Sequence, residues 1–478
     1  MRDLQVFPGA VTERAARVRV TGCRAPDPPL LIDPAPARPL LVTPVRPPAI
    51  WGETPCDEWV VDVKGLQPAT TYTINLAPPL GHSTTAIKIR TPPTSLASEG
   101  LSIALLSCYF PSDEFVSNGH RALKCLLRRA QVPHLKVFCG DQIYADVPWA
   151  PRSEPHSLYE ERYRVAWANC RLGPLLRHGG NVFTCDDHEY WNGFPDRMFY
   201  LGRSWSRSWP LWTRAGIDAV WTNQGVSNFA PKICGGADER RPWCYWQAAG
   251  VDLFVADTRT DRRSLDADRC PEQIKDGGVC VPAASRAAMS VRQRDALLAW
   301  IRGVARIGIL VLGQPLAAER SSRLSFDSTL PDYPEYAQIV DALRTRIDDG
   351  GPSFIVLTGD IHWGRLTHWT SPRSGRKLVE FVSSPIARVD LHSIISSKFS
   401  VATKAETSIR PADLEALLGP WPREAVFATN ENNIGMLRVW QPAGGPVTAA
   451  FQLWNLETEE LADNAWYLGG PCWAVIGL

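Results

Sequence analysis

The chain has 478 residues, 45% hydrophobic and 21% charged, with a formal net charge of +1. That composition is ordinary for a soluble globular protein, and its length predicts roughly two or three domains with ample mass for a buried core. The near-neutral balance, without a block of like charges, excludes a nucleic-acid or membrane-surface partner recruited by bulk electrostatics, so an anionic substrate has to be held by a local site.

Residues 1–92 predict a small all-β domain. Apolar and polar residues alternate in ARVRV (Ala16 to Val20), WVVDV (Trp59 to Val63), TYTINL (Thr71 to Leu76) and AIKIR (Ala86 to Arg90), with Pro-rich turns between them. The stretch GLQPATTY, Gly65 to Tyr72, resembles the signature of fibronectin type III-like sandwiches. There the Tyr ring packs in the core and its hydroxyl caps a backbone turn. Residues 93–100 read as a linker, and 101–478 as the main domain.

From Leu101 apolar strands alternate with helical stretches, and each strand ends in residues able to do chemistry. SIALLSCYF delivers Ser107 and Cys108, LKVFCGD delivers Asp141, and NVFTCDDHE delivers Asp186, Asp187 and His188. DLFVADTR delivers Asp257 and Arg259, IGILVLGQP delivers Gln314, SFIVLTGDIH delivers Asp360 and His362, and KLVEFVSSP delivers Ser383 and Ser384. Strands side by side in an α/β sheet bring such residues to one edge, where these folds bind ligands. The fold class predicted is α/β, two stacked mixed sheets flanked by helices.

Helices are expected over Gly119 to Gln131 and after Ser290, whose spacing to Gln293 is that of a capping box. Two antiparallel strands, NIGMLRVWQP and VTAAFQLWNL, complete a sheet near the end of the chain. Tryptophan is concentrated around residues 191–246, which reads either as an insertion with a small core of its own or as the wall of a substrate cleft; the first is favoured. The twelve cysteines form no disulfide framework and no zinc knuckle. Most are expected as buried thiols, although Cys234 with Cys244 and Cys270 with Cys280 share a ten-residue spacing.

Asp141, Asp187, Asp257 and Asp360 all end buried strands, where an unpaired charge is expensive. Arg259 and Arg365 are too few to neutralise them, and metal ions are the simpler answer. Carboxylates with His362 and Cys108 mix hard and soft donors, which suits a transition metal beside a second, oxygen-loving ion.

Three motifs, GDQIYAD, DDHEYWN and GDIHWG, follow one another in the order expected of a binuclear metal site. With SCYF ahead of them they resemble the PhoD-like phosphatases, the alkaline phosphatase D branch of the calcineurin-like metallophosphoesterases. That resemblance spans about residues 101 to 390. It implies an iron-like site made by Cys108, Asp141, Tyr144 and His362, and a second site, calcium in the family's type member, made by the bridging Asp141 with Asp187 and Asp360. The small β domain in front also resembles the family's layout. The reaction implied is hydrolysis of a small phosphate mono- or diester by a metal-bound hydroxide, two cations roughly 3.5–4 Å apart orienting the in-line displacement.

His188 is then the candidate to stabilise or protonate the leaving oxygen, with Asp186 and Glu189 either orienting its ring or, equally, serving as loop-capping carboxylates. Arg259 and Arg365 are candidate phosphate clamps or, on equal terms, structural salt bridges. Other functions remain open at this stage: a phosphodiesterase acting on nucleotides or phospholipids, or a metal-binding adhesion module without catalysis. No stretch has the length of a membrane span, and the N-terminus lacks a secretory pattern. The chain as written is therefore expected in the cytoplasm, whereas the family resemblance points to an exported protein whose twin-arginine signal is missing here.

Overall fold

The computed structural model describes residues 5–21, 30–38, 41–45, 58–76, 86–110, 117–128, 132–146, 154–196, 209–263, 286–321, 328–387, 412–464 and 470–478. The Cys270 and Cys280 pair and Trp205 lie outside the described residues.

Seven strands come first: β1 (Gln5–Val11), β2 (Ala15–Thr21), β3 (Leu30–Asp33), β4 (Leu41–Pro44), β5 (Glu58–Lys64), β6 (Thr71–Leu76) and β7 (Ile87–Arg90). They pair antiparallel in two sheets, ordered β1-β2-β5-β4 and β3-β6-β7. The predicted alternation is present in β6, where Tyr72, Ile74 and Leu76 are buried while Thr71 and Asn75 face solvent. The Tyr72 ring is buried and its hydroxyl accepts a 2.7 Å hydrogen bond from the Gln67 backbone N–H. This is the turn-capping contact that the GLQPATTY stretch predicts.

The outer face of this unit is docked on the rest of the chain. Arg17 pairs with Asp62 at 2.7 Å and donates to the Val226 carbonyl at 3.1 Å. Arg19 pairs with Glu58 at 2.9 Å and donates to the Asn223 carbonyl at 3.2 Å. Asn181 of a later strand donates to the Pro8 carbonyl.

The second part begins with β8 (Leu101–Leu106), β9 (Leu135–Cys139) and β10 (Gly180–Thr184). Then come β11 (Cys234–Gly235), β12 (Cys244–Ala248), β13 (Val251–Val255), β14 (Gly308–Val311), β15 (Phe354–Thr358), β16 (Gly364–Thr370), β17 (Lys377–Val382) and β18 (Arg423–Thr429). The last three are β19 (Asn433–Trp440), β20 (Thr448–Asn455) and β21 (Trp473–Gly477). One sheet runs β10-β9-β8-β19-β20-β21 and the other β11-β12-β13-β14-β15-β17-β16-β18. The strands that deliver chemical residues, β8, β9 and β10 in one sheet and β13, β14, β15 and β17 in the other, are parallel to their neighbours within each set. The final pair β19 and β20 is antiparallel, as predicted, and joins the first sheet alongside β8.

Period-2 geometry sorts these strands into layers. Ile103, Leu105, Val137 and Val182 of the first sheet share one core with Leu253, Val255, Ile309, Ile355 and Val379 of the second, so the sheets stack face to face. The same core reaches into the N-terminal unit through Val6, Val18 and Ile74. Residues one position along point outward. Ala104, Phe138 and Phe183 pack under Ala122, Leu126, Leu158 and Tyr163 of the helices Asn118–Arg128 and Pro155–Ala166. Phe254, Leu310 and Val356 pack under Leu297, Ile301, Ile339 and Leu343 of the helices Val291–Gly303 and Pro334–Asp348. Parallel strands covered on both faces read as continuous apolar runs, which is how they appear in the sequence.

Ser290 caps its helix by accepting from Gln293 N–H. The Gln293 side chain turns the other way, donating to the Asp257 carbonyl at 2.7 Å and accepting from Asp257 N–H at 3.0 Å. Half of the predicted capping box is therefore given over to holding the end of β13.

The Trp-rich segment is built differently from the favoured expectation. Trp191 and Trp212 belong to the helical layer of the first sheet, Trp246 to the core between the sheets, and Trp243 to the helical layer of the second. These four tryptophans are shared among three cores instead of closing one of their own. Cys234 is exposed and Cys244 buried, both as free thiols.

The Tyr72 contact has a measurable worth. Tyr72→Phe leaves the Gln67 N–H without its acceptor, and urea unfolding is expected to show a loss of about 1 kcal/mol. A variant as stable as the parent would show that the hydroxyl contributes nothing.

Candidate metal centre

The strand ends meet between the two sheets. At three of them, after β8, β9 and β15, the chain turns through the left-handed region at four residues other than glycine: Cys108 (φ 55°), Asp141 (φ 57°), Asp360 (φ 69°) and His362 (φ 56°). Such a conformation costs roughly 1–2 kcal/mol per residue, and residues that keep it concentrate where function over-determines the backbone. Hydrogen bonds between neighbouring strand ends hold the turns, Cys108 N–H to Gly140 O at 3.3 Å and Tyr109 N–H to Asp141 O at 2.8 Å. The glycine of each Gly-Asp motif is there for space. A Cβ at Gly140 would lie 2.4 Å from the Asp186 Cβ, and one at Gly359 would lie 2.4 Å from the Ser107 side chain.

Three groups of donor atoms result, each with its atoms within 4.8 Å of one another: Cys108, Asp141 and His362; Asp141, Asp187 and His188; and Asp186, Asp187 and Asp360. Every group joins two buried residues to one that is partly exposed, so the cluster is enclosed on one side and open on the other. Asp141 is shared by the first two groups and Asp187 by the last two. The Cys108 sulfur lies 3.4 Å from Asp141 Oδ2, and the Tyr144 hydroxyl lies 3.3 Å from His362 Nε2, which brings Tyr144 to the first group.

The electrostatics of this arrangement are adverse for anions alone. Burial pushes the Asp141 carboxyl well up, and although His188 draws it down, Asp187, Asp186 and Glu189 raise it further. Burial likewise raises the Cys108 thiol, reinforced by Asp141 and Asp360, and the Tyr144 phenol, reinforced by Cys108 and Asp141. Burial lifts Glu189 to about 7 against the pull of three backbone N–H donors. Asp187 Oδ2 accepts from Gly193 N–H, whereas its buried Oδ1 has no hydrogen-bond partner among the described residues. Carboxylates, a thiol, a phenol and an imidazole crowded in this way fit a multivalent cation, which would favour the anionic form of the first three and the neutral form of the imidazole.

His188 stands beside these groups with Nδ1 2.8 Å from Asp146 Oδ1 and its ring 4.2 Å from that of Tyr144. Burial would lower its pKa, but Asp146, Asp187 and Asp141 together hold it well above the ordinary histidine value. The orienting carboxylate is therefore Asp146, not Asp186 or Glu189. Glu189 instead accepts from the backbone N–H groups of Asp141 at 2.9 Å, Gln142 at 2.7 Å and Asp186 at 2.8 Å, which ties two of the motifs together. Asp146 closes the GDQIYAD motif, and its place five residues after Asp141 was the signal that could have found it.

The two arginines lie in the salt bridges that were their alternative reading. Arg259 is fully buried, forked onto Asp186 at 2.6 and 3.2 Å, with Nη1 donating to the Phe194 carbonyl and Nη2 3.8 Å from Asp187 Oδ1. Arg365 is buried on β16, donating to Glu380 and to the Ala317 carbonyl, each at 2.7 Å. Asp257 caps the turn after β13 by accepting from Arg259 and Thr260 N–H, and Gln314 accepts from Arg262. None of these four is in the donor groups among the described residues.

Two stacked mixed sheets with this donor set at their shared edge are the architecture of a metal-dependent phosphoesterase. The chain belongs to the PhoD-like phosphatase family, whose sequence model matches residues 103–416, and it is accordingly a hydrolase of phosphoric esters. A solved structure of PhoD is similar over 99% of this chain and 88% of its own, with 14% identity and a TM-score of 0.58. The purple acid phosphatase PPD1 from yellow lupin (Lupinus luteus) seeds is similar over 99% of this chain and 74% of its own, with 12% identity and a TM-score of 0.55. At those identities the likeness concerns the fold. No curated protein matches the chain.

Arg259→Met separates a counter-ion from a clamp. Leaving Asp186 buried and unpaired is expected to cost about 3–5 kcal/mol in urea unfolding. A variant of unchanged stability with a raised KM would restore the clamp reading.

Proposed function

We propose that the chain hydrolyses small phosphate mono- or diesters at a centre of two cations, Cys108, Asp141, Tyr144 and His362 surrounding the first and Asp141, Asp187 and Asp360 the second. The observation that carries this reading is the overlap of the donor groups at Asp141 and at Asp187, which joins the three groups into one cluster with donors enough for two cations. Thiolate, phenolate and imidazole favour a transition metal such as iron at the first position; carboxylates favour calcium or another hard divalent ion at the second. When bound, the pair supplies Lewis acidity, neutralising phosphate oxygens and making a nucleophile available from water near neutral pH.

The chain's own residues then divide the work. Asp146 engages Nδ1 of His188, which leaves Nε2 to meet the leaving oxygen of the ester. Arg259 holds Asp186 and lies behind Asp187, keeping the second donor group in place from inside the protein. With both arginines engaged in buried pairs, the phosphate oxygens are held in this reading by the cations and His188. Partial exposure of His188, Asp360 and His362 supports entry of substrate from that side.

Turnover of p-nitrophenyl phosphate and bis-p-nitrophenyl phosphate, with and without added iron and calcium, distinguishes a monoesterase from a diesterase and tests the metal requirement. Asp141→Asn is expected to abolish hydrolysis and reduce bound metal measured by elemental analysis; normal activity in that variant removes the shared carboxylate. His188→Ala is expected to keep its metal and lose about 10²–10⁴-fold in kcat. Loss of metal instead would make His188 a ligand, the alternative that its place in the second donor group defines.

A further inference from the structure

The serines that close β8 and β17 have no part in the reading above, yet both address the same sulfur. Ser384 Oγ donates to Cys108 Sγ at 3.2 Å, and Ser107 Oγ donates to it at 3.3 Å. Ser384 Oγ also accepts from His362 N–H at 3.2 Å, so one hydroxyl joins two members of the first donor group. All this is buried: Ser107, Ser383, Ser384 and Asn433 are each at most 1% exposed. The position of Ser384 is fixed in turn by Asn433 of β19, whose amide donates to the Ser384 carbonyl at 2.8 Å while its Oδ1 accepts from Ser383 Oγ at 3.0 Å. Asp141 Oδ2 at 3.4 Å and the Asp360 carbonyl at 3.5 Å are acceptors that cannot stabilise a thiolate, and the Tyr144 hydroxyl, itself placed in the first donor group, also hydrogen-bonds the sulfur.

We propose that Ser384, assisted by Ser107, is a positioning residue that sets the donor strength of the Cys108 sulfur toward its cation and couples the placement of Cys108 to that of His362. The inference rests on the reading of Cys108 and His362 as ligands of one ion. A hydrogen bond to a thiolate withdraws electron density from sulfur and lowers its filled orbitals, and partners of this kind tune both ligand orientation and the electronic state of the metal. Alanine would serve packing equally well at two such buried positions. Two hydroxyls aimed at one sulfur serve its charge.

The test is absorption spectroscopy of the full chain loaded with cobalt(II), read at the thiolate-to-cobalt charge-transfer band. Loss of the band in Cys108→Ser establishes the sulfur ligand. A band absent from the unsubstituted chain, or surviving in Cys108→Ser, overturns the ligand reading and the inference with it. Given the ligand, Ser384→Ala is expected to retain the band and move it to longer wavelength, with Ser384→Thr returning it to the parent position. A Ser384→Ala band at the parent wavelength overturns the inference alone. A purely structural role for Ser384 would lower the unfolding midpoint without moving the band. Should Ser384→Ala not fold, Ser107→Ala carries the same readout and the same two outcomes.

Discussion

An ionised carboxylate taken out of water has to sit beside positive charge, and the architecture of this protein concentrates that requirement at one place. Parallel strands in two stacked sheets end at a common edge, and Asp141, Asp186, Asp187 and Glu189 are carried there inside the protein. Two of these are provided for by the chain: Asp186 by the Arg259 guanidinium and Glu189 by a ring of backbone N–H groups. Asp141 and Asp187 share no such full provision, and the donor groups overlap at these two residues. The line between carboxylates satisfied by protein and carboxylates offered to a cation is drawn by where Arg259 and the turn N–H groups reach.

Legibility from sequence followed the range of the interaction concerned. The strands were visible because burial on both faces writes an unbroken apolar run, and the sites at their ends because Gly-Asp breaks that run abruptly. Tyr72 was visible because its partner is the N–H of Gln67, five residues away. The Arg259 pair was not, since Asp186 lies 73 residues earlier and an arginine is spelled the same whether it faces solvent or core. His188 stands out within its own motif, whereas its partner Asp146 lies 42 residues upstream and the chain neighbours Asp186 and Glu189 offer the nearer carboxylates in sequence. Tryptophans crowded in one stretch suggested a local cluster. Packing distributes Trp191, Trp212, Trp243 and Trp246 over three cores, a placement set by contacts distant in sequence.

The N-terminal strands enter the same logic from the outside. Their apolar face is continuous with the core between the sheets, and their charged face is tied through Arg17 and Arg19 to residues 223–226. Gln224, within that stretch, donates to Glu189 at 3.2 Å. A path of direct contacts thus runs from the first sheet to the carboxylate that binds the GDQIYAD and DDHE motifs together.

The left-handed turns at Cys108, Asp141, Asp360 and His362 set stability against activity at the same four positions. Glycine adopts that geometry without the Cβ penalty, so replacing any of the four with glycine relieves backbone strain while deleting a donor atom. Selection for thermal tolerance alone would therefore drift toward well-folded, inert proteins. Directed evolution of this scaffold has to screen for turnover at every round, because here the heat-resistant sequence and the working one part company at the backbone itself.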